Sequence, residues 1–82
     1  MKRIPLVALA HAALRDVNKK RVLELLDSVN LTTNEKEIVL RTEINGERLK
    51  TMEEVFGLSP DGVMKLKRGA MLRIGNYLLR AQ

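Results

Sequence analysis

The chain has 82 residues, no cysteine and a formal net charge of +5. That length supports one small domain, and the absence of cysteine excludes disulfides and thiolate metal sites and predicts a cytoplasmic setting. Hydrophobic residues make up 45% of the chain but aromatic residues only 2%, so the core has to be aliphatic. We predict an all-α fold, a small bundle of four or five helices over residues 1–82, with a polyanionic partner favoured by the charge.

The first fourteen residues place Lys2 and Arg3 before an apolar run, which loosely imitates a secretory signal. Because the run is short and is interrupted by His11, we expect an ordinary first helix that begins near Pro5, where a missing N–H has no cost. His11 has no second ligand within reach in the sequence, so no metal site and no cofactor are predicted. No apolar run reaches the length of a membrane span.

Local capping patterns predict where the next two helices begin. A break just before Asn18 lets this residue cap a second helix, and one long bent helix is the alternative. Thr32 and Glu35 have the spacing of a capping box, which predicts that a third helix starts there. Gly46 is expected to end that helix in a left-handed conformation.

Charge is distributed unevenly along the chain. Residues 1–30 carry six basic and three acidic side chains, residues 31–59 carry four and six, and residues 60–82 carry five and one. The acidic middle is predicted to be a solvated face, or alternatively a docking surface for a basic partner. Its members are Glu35, Glu37, Glu43, Glu47, Glu53 and Glu54.

The stretch Leu49–Arg73 has the pattern of a helix-turn-helix, the unit that places a helix in the DNA major groove. Its first helix is expected to start at either Glu47 or Met52, where two alternative N-termini are possible. Gly57 supplies the turn, because a positive φ costs a glycine nothing, and Leu58 is expected to be buried inside the turn.

Ser59, Pro60 and Asp61 are the cap, first position and first-turn carboxylate of the second helix, predicted to run from about 59 to 73. The helix is expected to end near Gly75, with a last turn or a short tail helix after it. The residues predicted to face inward are Val63, Leu66 and Ala70. Those predicted to face outward are Asp61, Met64, Lys65, Lys67 and Arg68.

Two sets of DNA contacts follow from this geometry. Base edges are predicted to meet Pro60, Asp61, Met64 and Lys65, near the start of the recognition helix. Lys65 would donate to guanine O6 and N7, Asp61 would accept from cytosine N4, and Met64 would meet a thymine methyl group. Phosphates, which position the domain without reading sequence, are predicted to bind Arg48, Lys50, Ser59, Lys67, Arg68 and Arg73.

The segments LTTNEKEIVLR, TMEEV, FGLS and GAMLRI resemble the C-terminal, region 4-like DNA-reading domain of bacterial sigma factors, and LuxR-like domains share much of this pattern. The resemblance covers residues 31–79 and leaves residues 1–30 as an N-terminal helical extension. It implies a transcription regulator that binds double-stranded DNA, with RNA polymerase as a second partner. Glu53 departs from the family pattern, which usually has a small alanine there, and Gly62 is unusual early in a recognition helix.

One histidine, no cysteine and no glycine-rich phosphate loop leave no arrangement of nucleophile and base, so an enzyme is not predicted. The rival hypothesis is a protein-binding module that docks on RNA polymerase or a regulator protein. An open hydrophobic groove beside residues 1–30 would favour that rival. A homodimer that reads two half-sites is also compatible with the sequence. Its interface would use the N-terminal helices or Leu72, Tyr77, Leu78 and Leu79.

Overall fold

A computed structural model describes residues 5–81 of the chain, so the Lys2 and Arg3 part of the signal-like segment lies outside the described residues. The described part contains five helices, and a π-helical turn at Leu40–Ile44 continues the third. The helices are α1 (Leu6–Leu14), α2 (Lys19–Ser28), α3 (Thr33–Val39), α4 (Leu49–Phe56) and α5 (Pro60–Arg80). The all-α prediction is confirmed. Between residues 5 and 81, no helix combines the length and apolar character that crossing a membrane requires.

The predicted caps begin α2 and α3. The Asn18 side chain accepts hydrogen bonds from the backbone N–H of Lys20 at 3.1 Å and of Arg21 at 3.4 Å, so the N-terminal region forms two helices and not one bent helix. The Thr32 hydroxyl accepts from the Glu35 N–H, and the Glu35 carboxylate accepts from the Thr32 N–H. Each cap satisfies donors that a helix start would otherwise leave unpaired.

The third helix widens before it ends. The Asn45 N–H donates to the Leu40 carbonyl, five residues back, and the Thr42 hydroxyl donates to the Ile38 carbonyl at 2.7 Å. Gly46 then adopts the expected left-handed conformation, with φ at +72°. A π turn holds one more residue than an α turn, so the side chains after it are rotated relative to simple helical spacing.

The long helix α5 is the element on which the others assemble, because α1, α3 and α4 each pack against it. A Cβ on Gly75 would lie 2.3 Å from the Leu6 carbonyl oxygen, so the α1 backbone touches α5 directly at this glycine. The expected helix end near Gly75 is therefore wrong, since α5 continues to Arg80 and the glycine serves close packing. The buried apolar core contains Ala10, Leu14, Val22, Leu26, Val29, Ile38, Val39, Met52, Val63, Ala70, Met71 and Ile74.

A three-residue turn, residues 57–59, connects α4 to α5. The first helix starts at Leu49, so both expected starts are wrong, and no side chain caps it. Gly57 has φ at +63°, as predicted for the turn. Leu58 is 38% exposed, so the expectation that it is buried inside the turn is wrong. Its Cβ lies against the first turn of α5, 3.2 Å from where a Cβ of Gly62 would stand. The absence of a side chain at Gly62 leaves room for this contact.

We expect Gly57→Ala to lower the free energy of unfolding by about 1 kcal/mol, because alanine is strained in the left-handed region. No atom lies within 4 Å of a Cβ at this position, so backbone strain is the only cost. Chemical denaturation measures the change. Gly57→Asn is the control, since asparagine tolerates this conformation, and an equal loss in both variants would contradict the backbone explanation.

Candidate nucleic-acid interface

The outer side of the first half of α5 carries four exposed side chains with the spacing of one helical face. Asp61, Met64, Lys65 and Arg68 stand at positions i, i+3, i+4 and i+7, and all four are exposed. Met64 is 62% exposed, a high value for a large apolar side chain. Pro60 is also exposed and is the first residue of the helix, after the Ser59 cap. The structure therefore brings the four predicted base-reading residues to the start of α5.

Two of the predicted phosphate-binding residues, Arg48 and Lys50, lie at the start of α4 and are exposed. Leu49, between them, lines a cleft in front of the first half of α5 together with Lys65 and Arg68, so the start of α4 lies beside the outer face of α5. Four basic side chains lie here, on the start of α4 and on the outer face of α5: Arg48, Lys50, Lys65 and Arg68. Among residues 5–81, none of the four takes part in an ion pair. Within this part of the chain they have no acidic partner.

Lys67 differs from the exposed position predicted for it. Its side chain is 17% exposed, and its Nζ lies 3.2 Å from the Glu43 Oε2 atom. The other oxygen of the same carboxylate, Oε1, lies 2.5 Å from the Nδ1 atom of His11. Glu43 thus connects α1, the π-helical turn and α5, and Lys67 already has an anionic partner.

Arg73 lies away from the other predicted contacts. It follows Met64 by nine residues, which at about 100° per residue places it on the opposite side of the helix. Its Nε lies 3.4 Å from the Glu35 carboxylate, and its Nη1 donates to the Asn30 carbonyl at 3.3 Å. Ser59 is exposed and accepts a hydrogen bond from the Gly62 N–H, which leaves its hydroxyl proton available to a phosphate.

Most of the acidic middle segment is used inside the molecule. Glu35 is only 7% exposed, and Glu43 is 18% exposed at its side chain. Arg41 pairs with Glu37 at 3.7 Å and with Glu47 at 3.2 Å. The expectation of a solvated acidic face is wrong for Glu35, which is buried, whereas Glu54 is exposed and the other four glutamates are half-buried. Glu53, half-buried on α4, is one of these four.

A cleft of about 420 Å³ lies in front of the first half of α5. The exposed face of α5 forms one wall, Leu49 of α4 closes one side, and Val7 and His11 of α1 close another. The sequence left open whether residues 1–30 border a groove, and it could not place α1 beside α5, because that position depends on the contact between Leu6 and Gly75, far apart in the chain. The only local signal was the apolar character of Val7.

Between residues 5 and 81, no three His, Asp or Glu side chains are grouped as a metal ion would require. Comparison of the chain with protein-family models, curated proteins and solved structures gave no significant match.

Proposed function

We propose that the protein is a cytoplasmic transcription regulator that binds double-stranded DNA in a sequence-specific manner. The helix α4, the turn at residues 57–59 and the first half of α5 act as the helix-turn-helix. The observation that carries the proposal is the exposed face of Asp61, Met64, Lys65 and Arg68 at the start of a helix that follows a glycine turn. The resemblance to sigma region 4 and LuxR-like domains belongs to the same proposal.

Three side chains on this face have a chemical partner in the major groove. Lys65 donates to guanine O6 and N7, Asp61 accepts from cytosine N4, and Met64 contacts a thymine methyl group. Arg48, Lys50, Arg68 and Ser59 bind phosphates, a role that exposed groups beside the reading face fit. Lys67 and Arg73 are left out of this contact set, because both have acidic partners and Arg73 points the other way.

The rival function is docking on RNA polymerase or a regulator protein. The cleft beside α1, lined by Val7 and Leu49, is an open apolar groove of the kind that favours a protein partner, but the acidic middle segment that was expected to form the interface does not support it. Four of its glutamates, Glu35, Glu37, Glu43 and Glu47, pair with basic side chains of the same chain. A homodimer remains compatible with DNA reading, and Tyr77, at 38% exposed, would be its main contact on α5. Leu78 instead packs against the core.

Fluorescence anisotropy with the DNA upstream of the protein's own gene, and with random duplexes of equal length, tests the proposal. We expect affinity to fall steeply between about 50 and 200 mM salt, because phosphate binding releases counterions. Lys65→Ala should remove about 1–3 kcal/mol of preference for the specific sequence, while Arg68→Ala should weaken all sequences alike and reduce the salt slope by about 1.

Arg80→Ala is the charge-matched control, since Arg80 is exposed at the far end of α5. It should leave the sequence preference unchanged. Absent or salt-insensitive binding would refute the DNA proposal. Identical behaviour of the Lys65 and Arg68 variants would refute the division into base-reading and phosphate-binding residues.

A further inference from the structure

The cleft in front of α5 combines exposed apolar side chains with exposed cationic side chains. Met64 is 62% exposed and Leu49 39%, and Val7 lies half-buried on the α1 side. Lys65 and Arg68 line the same cleft and enter no ion pair among residues 5–81. Phosphates would satisfy these cations, but the apolar side chains indicate a ligand that also buries hydrocarbon.

The dimensions of the cleft suit a helix better than a small molecule. Its α5 wall runs from Asp61 to Met71, which is about 15 Å of helix and matches two to three turns of a second helix. The cleft is open to solvent along this wall, whereas small-molecule pockets enclose most of the ligand surface. An amphipathic helix needs only one apolar stripe covered, with its polar side left in water.

We propose that this cleft binds an acidic amphipathic helix of a partner protein, and that the bound helix excludes DNA. The apolar stripe of the helix covers Val7, Leu49 and Met64, while its carboxylates pair with Lys65 and Arg68. Arg68 can hold a carboxylate with two parallel hydrogen bonds. Asp61, the acidic side chain that lines the cleft, directs the carboxylates of the partner toward the Arg68 end.

The exclusion of DNA rests on the proposed function, because Met64, Lys65 and Arg68 would serve both ligands. Val7 distinguishes helix binding from DNA binding. It lines the cleft from α1 but lies outside the proposed set of DNA contacts. Loss of its side chain should therefore affect helix binding and leave DNA binding unchanged.

The probe is a synthetic, fluorescein-labelled helical peptide with leucines at i, i+4 and i+7 and glutamates on both flanks of that stripe. Its control has the same composition, with the leucines scattered around the helix. In anisotropy titrations without DNA, we expect the patterned peptide to bind, and Met64→Ala and Arg68→Gln each to weaken it about tenfold. Val7→Ala should weaken it about three- to tenfold and leave separate DNA titrations unchanged.

Leu23→Ala on α2 and Arg80→Gln are the matched controls, both exposed and outside the cleft, and neither should change peptide affinity. Circular dichroism confirms that each variant is folded. Equal binding of the scattered peptide, or unchanged binding to both the Val7 and Met64 variants, would overturn the proposal. Simultaneous binding of peptide and DNA would overturn the exclusion.

The separate titrations distinguish the two functions. If the protein binds the patterned peptide with the expected variant effects but binds no duplex, the helix site is supported and the DNA-binding proposal is refuted. If the protein binds DNA with the expected salt dependence but does not bind the patterned peptide, only the helix-site proposal is overturned.

Discussion

Gly75→Ala is expected to lower the free energy of unfolding by about 2–3 kcal/mol, although alanine favours helices more than glycine does. A Cβ at this position would stand 2.3 Å from the Leu6 carbonyl oxygen and 2.8 Å from the Leu6 Cβ. Backbone atoms cannot rotate out of the way as a flexible side chain can, so α1 as a whole has to move away from α5. Urea denaturation followed by circular dichroism measures the loss.

Gly69→Ala is the control for the same substitution in the same helix. A Cβ there would meet only the Glu35 Oε2 atom, at 3.4 Å, which is an ordinary contact. We expect this variant to be neutral or up to about 1 kcal/mol more stable, from helix propensity alone. A loss at Gly69 as large as that at Gly75 would contradict close helix packing as the cause.

Movement of α1 also has a functional consequence, because α1 carries Val7 and His11 to the edge of the cleft. If the DNA contacts belong to α4 and α5 alone, Gly75→Ala should leave sequence preference intact in the folded fraction. The proposed helix site should weaken, since one of its sides is displaced. Gly75→Ala therefore distinguishes the DNA-binding proposal from the helix-site proposal independently of Val7→Ala.

The starts of α2, α3 and α5 could be predicted from the sequence because their determinants are local. Asn18, Thr32 with Glu35, and Ser59 each accept hydrogen bonds from backbone groups two or three residues away. The start of α4 has no such side-chain cap, and both predicted positions for it were wrong. Without a cap, the local sequence does not define the first residue of α4, although Met52 within the helix is buried in the core.

Part of the candidate site can be predicted from local spacing, and the rest depends on contacts between distant parts of the chain. The i, i+3, i+4, i+7 spacing of Asp61, Met64, Lys65 and Arg68 is visible in the sequence, and the structure places these side chains on one exposed face. The partner of Lys67 is not visible, because Glu43 lies 24 residues earlier, in a π-helical turn that breaks α-helical spacing. Sequence periodicity cannot predict such a pair.

Glu43→Gln is expected to lower the free energy of unfolding by about 1–2 kcal/mol, because it leaves the Lys67 ammonium group mostly buried beside a neutral amide. The loss stays below that of a fully buried pair, since the side chains of Glu43 and Lys67 are 18% and 17% exposed. Glu54→Gln makes the same chemical change on an exposed side chain and should alter stability by less than about 0.5 kcal/mol. Chemical denaturation of both variants measures the difference.

A double-mutant cycle isolates the pair from other effects of the substitutions. Lys67→Met removes the charge but keeps most of the alkyl chain. Combined with Glu43→Gln in a double variant, it should give a coupling energy of about 1 kcal/mol between the two sites. A coupling energy near zero would contradict the contact. DNA affinity should move in the opposite direction to stability. In the Glu43→Gln variant, the Lys67 charge loses its partner and adds to the positive potential beside the exposed face of α5. If the protein binds DNA as proposed, this variant should therefore bind duplexes more tightly although it is less stable.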